Sequence, residues 1–80
     1  MSEVRIPDGL WDTGRIPEAI VANWFYADGS DVTEGATIAE VMAEKTSYDI
    51  GAPDSGRLTI LVPKDGVVTP GTVIGRIEPA

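Results

Sequence analysis

The stretch GSDVTEGATIAEV (Gly29–Val41) returns later in the chain as GVVTPGTVIGRI (Gly66–Ile77). Val32, Gly35, Ile38 and Val41 recur as Val68, Gly71, Ile74 and Ile77, each 36 residues on. Just upstream the offset is 37, with Asp28-Gly29 set against Asp65-Gly66. Further back, Gly14-Arg15-Ile16 is matched to Gly56-Arg57-Leu58. A repeat of this kind means two similar supersecondary units. Each half is too small to bury its own apolar face, so the two must pack on one another. The expected fold is therefore all-β: a flattened β-sandwich or barrel of two antiparallel sheets, related by a pseudo-two-fold axis.

The local pattern agrees. The 9 glycines and 6 prolines are spread along the chain and leave no room for a long helix. Val4 and Ile6 alternate with polar residues and stop at Pro7-Asp8-Gly9. Glu18–Tyr26 is β-rich on both faces, and Ala27–Gly35 is turn chemistry around one apolar point, Val32. Thr37–Ala43 and Ser47–Ile50 read as strands, the second with Tyr48 and Ile50 on one face. Gly51–Gly56 reads as a loop. Arg57–Val62 alternates with Leu58, Ile60 and Val62 inward, Lys64–Gly71 is a turn, and Thr72–Glu78 is the last strand. Gly29, Gly35, Gly56, Gly66 and Gly71 are the expected turn glycines. A helical stripe of Ile38, Val41 and Met42 competes over Thr37–Lys45. It is set aside because the matching TVIGRIE carries a glycine and two β-branched residues. Alternation puts Trp24 and Tyr26 on one face and Phe25 on the other, with Trp24 as the expected buried anchor. Trp11 lies among polar loop residues, either exposed or folded back on the sandwich.

Composition narrows the function. The 80 residues suit one small domain, 1–80, and 42% hydrophobic content supports a core. A net charge of -7 opposes binding to nucleic acid or an anionic membrane and favours a neutral or basic partner surface. No apolar run reaches membrane-spanning length, and the first residues lack the apolar core of a signal peptide. There is no Cys and no His, which fits a reducing cytoplasm and removes the commonest base, thiol nucleophile and metal ligands. Catalysis by this chain alone is not expected, nor is a metal site. Asp28–Glu34 lacks the twelve-residue spacing of an EF-hand. A monomeric domain is expected.

Lys45 stands out because the chain has only one other lysine, Lys64. It falls at the crossover between the two halves, and its repeat equivalents, 8 and 81, lie at or beside the chain ends. The symmetry therefore places Lys45 at one end of the sandwich and Met1 beside Ala80 at the other.

AEVMAEKTSYDIGAPDSGRL (Ala39–Leu58) resembles the lysine hairpin of lipoyl domains in the biotinyl/lipoyl-attachment family, A-E-V-E-T-D-K-A-x-V-E-I-x-[SA]-P-x-x-G-x-[VL]. The match has no gaps. Gly29 and Gly56 stand 16 before and 11 after Lys45, at the family spacing, and Ile6–Asp8 and Asn23–Gly35 also resemble the family. The resemblance implies the barrel-sandwich hybrid fold, with lipoate in amide linkage on Lys45 as a swinging arm. It implies service to a 2-oxo acid dehydrogenase-type complex. The implied partners are a lipoate ligase or lipoyl/octanoyl transferase, and the decarboxylase, acyltransferase and dihydrolipoyl dehydrogenase components. The family's loop after the first strand contributes to partner recognition, which carries that role to Asp8, Gly9, Leu10, Trp11, Asp12, Thr13 and Gly14. Beside the lysine, Glu44 replaces the usual Asp and Thr46 a small residue, and Met42 stands where Glu is common. Biotin on Lys45 is the alternative, since biotinyl domains share the fold, but their lysine sits between methionines. A phosphopantetheine acyl carrier is a remote alternative, echoed only in Asp54-Ser55-Gly56.

Overall fold

The computed structural model describes residues 2–79 and contains no helix among them. Eight strands follow one another: β1 (Ser2–Arg5), β2 (Ala19–Trp24), β3 (Asp31–Val32), β4 (Thr37–Ala43), β5 (Thr46–Gly51), β6 (Gly56–Ile60), β7 (Val67–Val68) and β8 (Val73–Glu78). They form two four-stranded antiparallel sheets, β1-β8-β6-β3 and β5-β4-β2-β7. The sheets lie face to face as a flattened sandwich of 40 × 19 × 17 Å and do not close into a barrel. Period-two alternation decides what goes between them. Val4, Val21, Ile38, Val41, Leu58, Val68, Ile74 and Ile77 are fully enclosed there. Each contributes about 1.5–3 kcal/mol by leaving water. Leu58 is inward as expected, while Ile60 and Val62 are only half-buried at the edge of the core.

The pseudo-two-fold axis can be followed bond by bond. The turn bond from Ala36 N to Thr33 O (3.0 Å) recurs from Thr72 N to Thr69 O (3.0 Å). Gly35 N donates to Ala52 O (2.9 Å), as Gly71 N does to Ile6 O (2.8 Å). Gly29 N donates to Leu58 O (2.7 Å), as Asp65 N does to Val21 O (2.8 Å). These pairs correct the sequence alignment in two places. Gly29 corresponds to Asp65, not Gly66, and both hold positive φ, 87° and 74°. The deletion therefore lies before Asp65, and the two Asp-Gly pairs are one residue out of step. Gly66 is needed for close approach instead: a Cβ there would stand 2.4 Å from Val62 Cγ1 and 3.0 Å from the Pro63 carbonyl oxygen. Likewise Gly56-Arg57-Leu58 corresponds to Ala19-Ile20-Val21, because Leu58 opposes Ile77 as Val21 opposes Val41. Gly14-Arg15-Ile16 has no counterpart. It belongs to segment 7–18, an extra loop where the other half has only residues 53–55.

Two expected turns each contain a two-residue strand, β3 at Val32 and β7 at Val67–Val68. Runs so short carry no alternation to read. The tryptophans depart from expectation at Trp24 only. Trp11, the one open to exposure, is buried (7% exposed), while Trp24, the expected anchor, is only half-buried. Trp24 closes the end of β2: its indole N–H donates to Val62 O (2.9 Å) and its ring edge lies over Gly75, where a Cβ would stand 3.4 Å from Cη2. Trp11 anchors the extra loop, donating to Ile16 O (2.8 Å) while its ring meets Tyr48 at 5.9 Å between centroids. Ser2 pairs with Ile77, so the first and last strands end together, and Met1 and Ala80 themselves lie outside the described residues.

Candidate functional site

In the β4–β5 hairpin, Met42 pairs with Ser47 and Ala43 with Thr46, which leaves Glu44 and Lys45 as a two-residue turn. The hairpin is rooted in the core through Val41, Ala43 and Ile50, all buried. Its tip is not: Glu44, Lys45 and Thr46 are all exposed. The Lys45 amine makes no hydrogen bond or ion pair among the described residues. A primary amine held on rigid strands with no polar partner is suited to take a covalent acyl group. β1 begins and β8 ends at the pole that the pseudo-two-fold axis relates to the lysine turn, so Ser2 and Glu78 lie across the sandwich from Lys45.

Glu44 has φ of 59° and Lys45 does not share the positive sign. The left-handed region costs an ordinary side chain roughly 1 kcal/mol, and Asn and Asp tolerate it best. This accounts for Asp in the family pattern, and Glu44 forgoes that tolerance. Glu44→Asn is expected to stabilise the domain by about 0.5 kcal/mol, raising its midpoint by a few degrees in thermal unfolding. The ion pair it loses, Arg15 with Glu44 at 3.2 Å, is more than half exposed on both sides and contributes little. A lowered midpoint would show that this pair outweighs the backbone strain.

The extra loop packs beside this hairpin. Trp11 on Tyr48 and Arg15 on Glu44 bring the loop to both flanks of the turn. Within the loop, Asp12 holds the chain in a turn, accepting from Arg15 N and Ile16 N at its carbonyl and from Gly14 N at Oδ1. Asp8, Gly9, Asp12, Thr13 and Gly14 are exposed and Leu10 is half-buried, so of the seven loop residues singled out in the sequence only Trp11 reaches the hairpin through a described contact. Arg15 lies one residue past the predicted stretch and was missed; only its charge, opposite to that of Glu44, could have signalled it. The turn glycines Gly29, Gly35 and Gly71 have positive φ, as does Gly56, while Gly66 does not. Beside the hairpin an open groove of about 300 Å³ is lined by Glu18, Ala19, Ile20, Met42, Glu44 and Val67. No cluster of potential metal ligands occurs among the described residues.

A family model described as "biotin-requiring enzyme", covering biotin and lipoyl attachment, matches residues 3–77. No curated protein matches the chain. The match spans both halves of the repeat and is centred on the hairpin whose tip displays Lys45. The chain therefore belongs to the biotin/lipoyl attachment family, whose members are carrier domains that hold biotin or lipoate covalently for the enzymes that attach and use it.

Proposed function

We propose that the chain is a lipoyl carrier whose Lys45 bears lipoate in amide linkage, serving a 2-oxo acid dehydrogenase-type complex in the cytoplasm. The observation that carries the choice of lipoate is the pair of residues beside the lysine. Glu44 and Thr46 stand there, both exposed at the hairpin tip, and neither is the methionine usual around a biotinylated lysine. An attaching enzyme reads the folded hairpin, so a carboxylate in place of a thioether changes both charge and shape at the point of contact. Lipoate, when bound, supplies the redox and acyl-transfer chemistry. The chain's residues supply display: the β4–β5 strands fix the base of the arm, and the lysine stem adds four flexible carbons. Attachment to a shared assembly raises the local concentration of the arm at the decarboxylase, acyltransferase and dihydrolipoyl dehydrogenase in turn.

Intact mass after incubation with a lipoate ligase, beside a biotin ligase, tests the reading. A lipoyl mass gain with no biotinyl gain is the expected result; the reverse would assign the chain to biotin. Glu44→Met with Thr46→Met is expected to raise biotinylation above wild type, read on an avidin blot.

A further inference from the structure

Symmetry alone would give the two sheets similar outer faces, and they differ. On the β1-β8-β6-β3 sheet, Asp31, Arg57 and Glu78 are neighbours across three strands, and Glu3, Arg76 and Thr59 form the next row. Opposite charges sit side by side, as antiparallel pairs favour. The two-fold axis carries Asp31 to Val67, Arg57 to Ile20 and Glu78 to Met42. In the lysine-bearing sheet the same row is therefore apolar, and Ile20 is 40% and Val67 60% exposed. This row floors the groove beside the hairpin, while the equivalent hollow at the other end is lined by Asp31, Arg57, Glu78 and Pro79. In the second row, Arg76 becomes Glu40 and Glu3 becomes Asp49, which puts two carboxylates directly opposite one another across β4 and β5. Like charges so placed work against the sheet. Glu18 and Glu44 on the groove add two more, of which Arg15 offsets Glu44.

We propose that the row Val67–Ile20–Met42, with its rim of Glu18, Glu40, Glu44 and Asp49, is the docking surface for the enzyme that acylates Lys45. The inference rests on the carrier reading above. A specific interface needs roughly 800 Å² from each partner, far more than a two-residue turn offers. An enzyme handling the Lys45 amine must cover adjoining surface, and the groove begins at Met42 and Glu44 of that same hairpin. Charge selects the occupant. A second copy of a chain with net charge -7 would set carboxylates against carboxylates. An apolar side chain flanked by lysines or arginines satisfies both the row and its rim. Contacts of that kind speed encounter and weaken with salt.

The test is a double variant, Ile20→Arg with Val67→Asp, which installs the residues of the equivalent row that the other half already carries. Its mirror, Arg57→Ile with Asp31→Val, is the control. Thermal unfolding checks both, and Val67→Asp alone, at the more exposed site, serves if the double variant fails to fold. Wild type is offered to a lipoate ligase with ATP and lipoate, and to a biotin ligase with ATP and biotin; the ligase that modifies it is used for rates. The expected result is a fall of about tenfold in kcat/KM for Ile20→Arg/Val67→Asp, carried by KM, with the control unchanged. Titration of 15N-labelled wild type with that ligase, without nucleotide, is expected to shift the amides of Ile20, Met42 and Val67 and leave Asp31, Arg57 and Glu78 unmoved. Equal kcat/KM for the variant and wild type, or an equal fall in the control, overturns the inference and leaves the carrier reading standing. A wild type that neither ligase modifies, beside a control domain that is modified, overturns both.

Discussion

Lys45→Arg is expected to abolish acylation of the chain and leave its fold unchanged. Arginine keeps the charge and most of the stem but offers no amine that forms a stable amide. The side chain it replaces is exposed and makes no hydrogen bond or ion pair among the described residues, so stability should stay within about 0.5 kcal/mol of wild type. Lys64 is the internal control, because it is exposed as well. Its surroundings differ. Lys45 is on a turn between two strands paired with each other, whereas Lys64 lies between β6 and β7, which belong to different sheets. There the chain bends through Asp65 at positive φ, and Gly66 N closes on the Pro63 carbonyl at 3.0 Å. A ligase that grips a hairpin finds none at Lys64. Peptide mass mapping after incubation with ligase, ATP and lipoate should show one acylated site in wild type and none in Lys45→Arg. Modification of Lys64, or an undiminished mass gain in the variant, would refute the assignment.

The fold was legible because the repeat states the same instruction twice. Val32, Gly35, Ile38 and Val41 with their later counterparts are inward or turn positions in both halves, and the hydrogen bonds repeat with them. What misled was identity of letters without identity of geometry. Asp28-Gly29 and Asp65-Gly66 look alike, but one half meets its positive φ with glycine and the other with aspartate, and Gly66 answers to Val62 and Pro63 instead. Trp24 was taken as the buried anchor because strand membership was read as burial, while Trp11, left open between exposure and folding back, folds back. A loop can fold an indole onto a neighbouring strand, as Tyr48 and the Ile16 carbonyl show, while a strand end can leave one half in water. The place of Lys45 on an exposed turn was readable from its position in the repeat. Ile20 and Val67 were not, because their significance lies in what the other half has at those positions, and that comparison needs the register of four strand pairs.

Gly56→Ala is expected to destabilise the domain by roughly 3 kcal/mol or more, enough to lower its unfolding midpoint by about 12–24 °C. Gly56 has φ of 155°, a backbone region that side chains rarely enter, and a Cβ there would stand 2.0 Å from the Glu78 carbonyl oxygen and 3.1 Å from Ile77 Cγ2. The obstacle is backbone, so no rotamer change relieves it. Relief requires β6 and β8 to move apart, and those strands hold Leu58 and Ile77 opposite each other in the core. A domain of this size commands only about 4–12 kcal/mol in all. Circular dichroism melts of the variant beside wild type would measure the loss. A midpoint within a few degrees of wild type would mean that the β6–β8 pairing yields far more easily than its packing suggests.

The equivalence between the lysine turn and the paired outer ends of β1 and β8 makes the scaffold indifferent to where the polypeptide is opened. A circular permutant joined between Glu78 and Ser2 and cut at the Glu44–Lys45 turn would trace the same two sheets in the same register. A tandem copy of one half would carry a lysine at each pole. In this chain the second pole carries the paired outer ends of β1 and β8 in place of a lysine turn. Direction is then written only in side chains: the same eight strands, read from either pole, become a handle or a cargo hook according to a few residues on the surface.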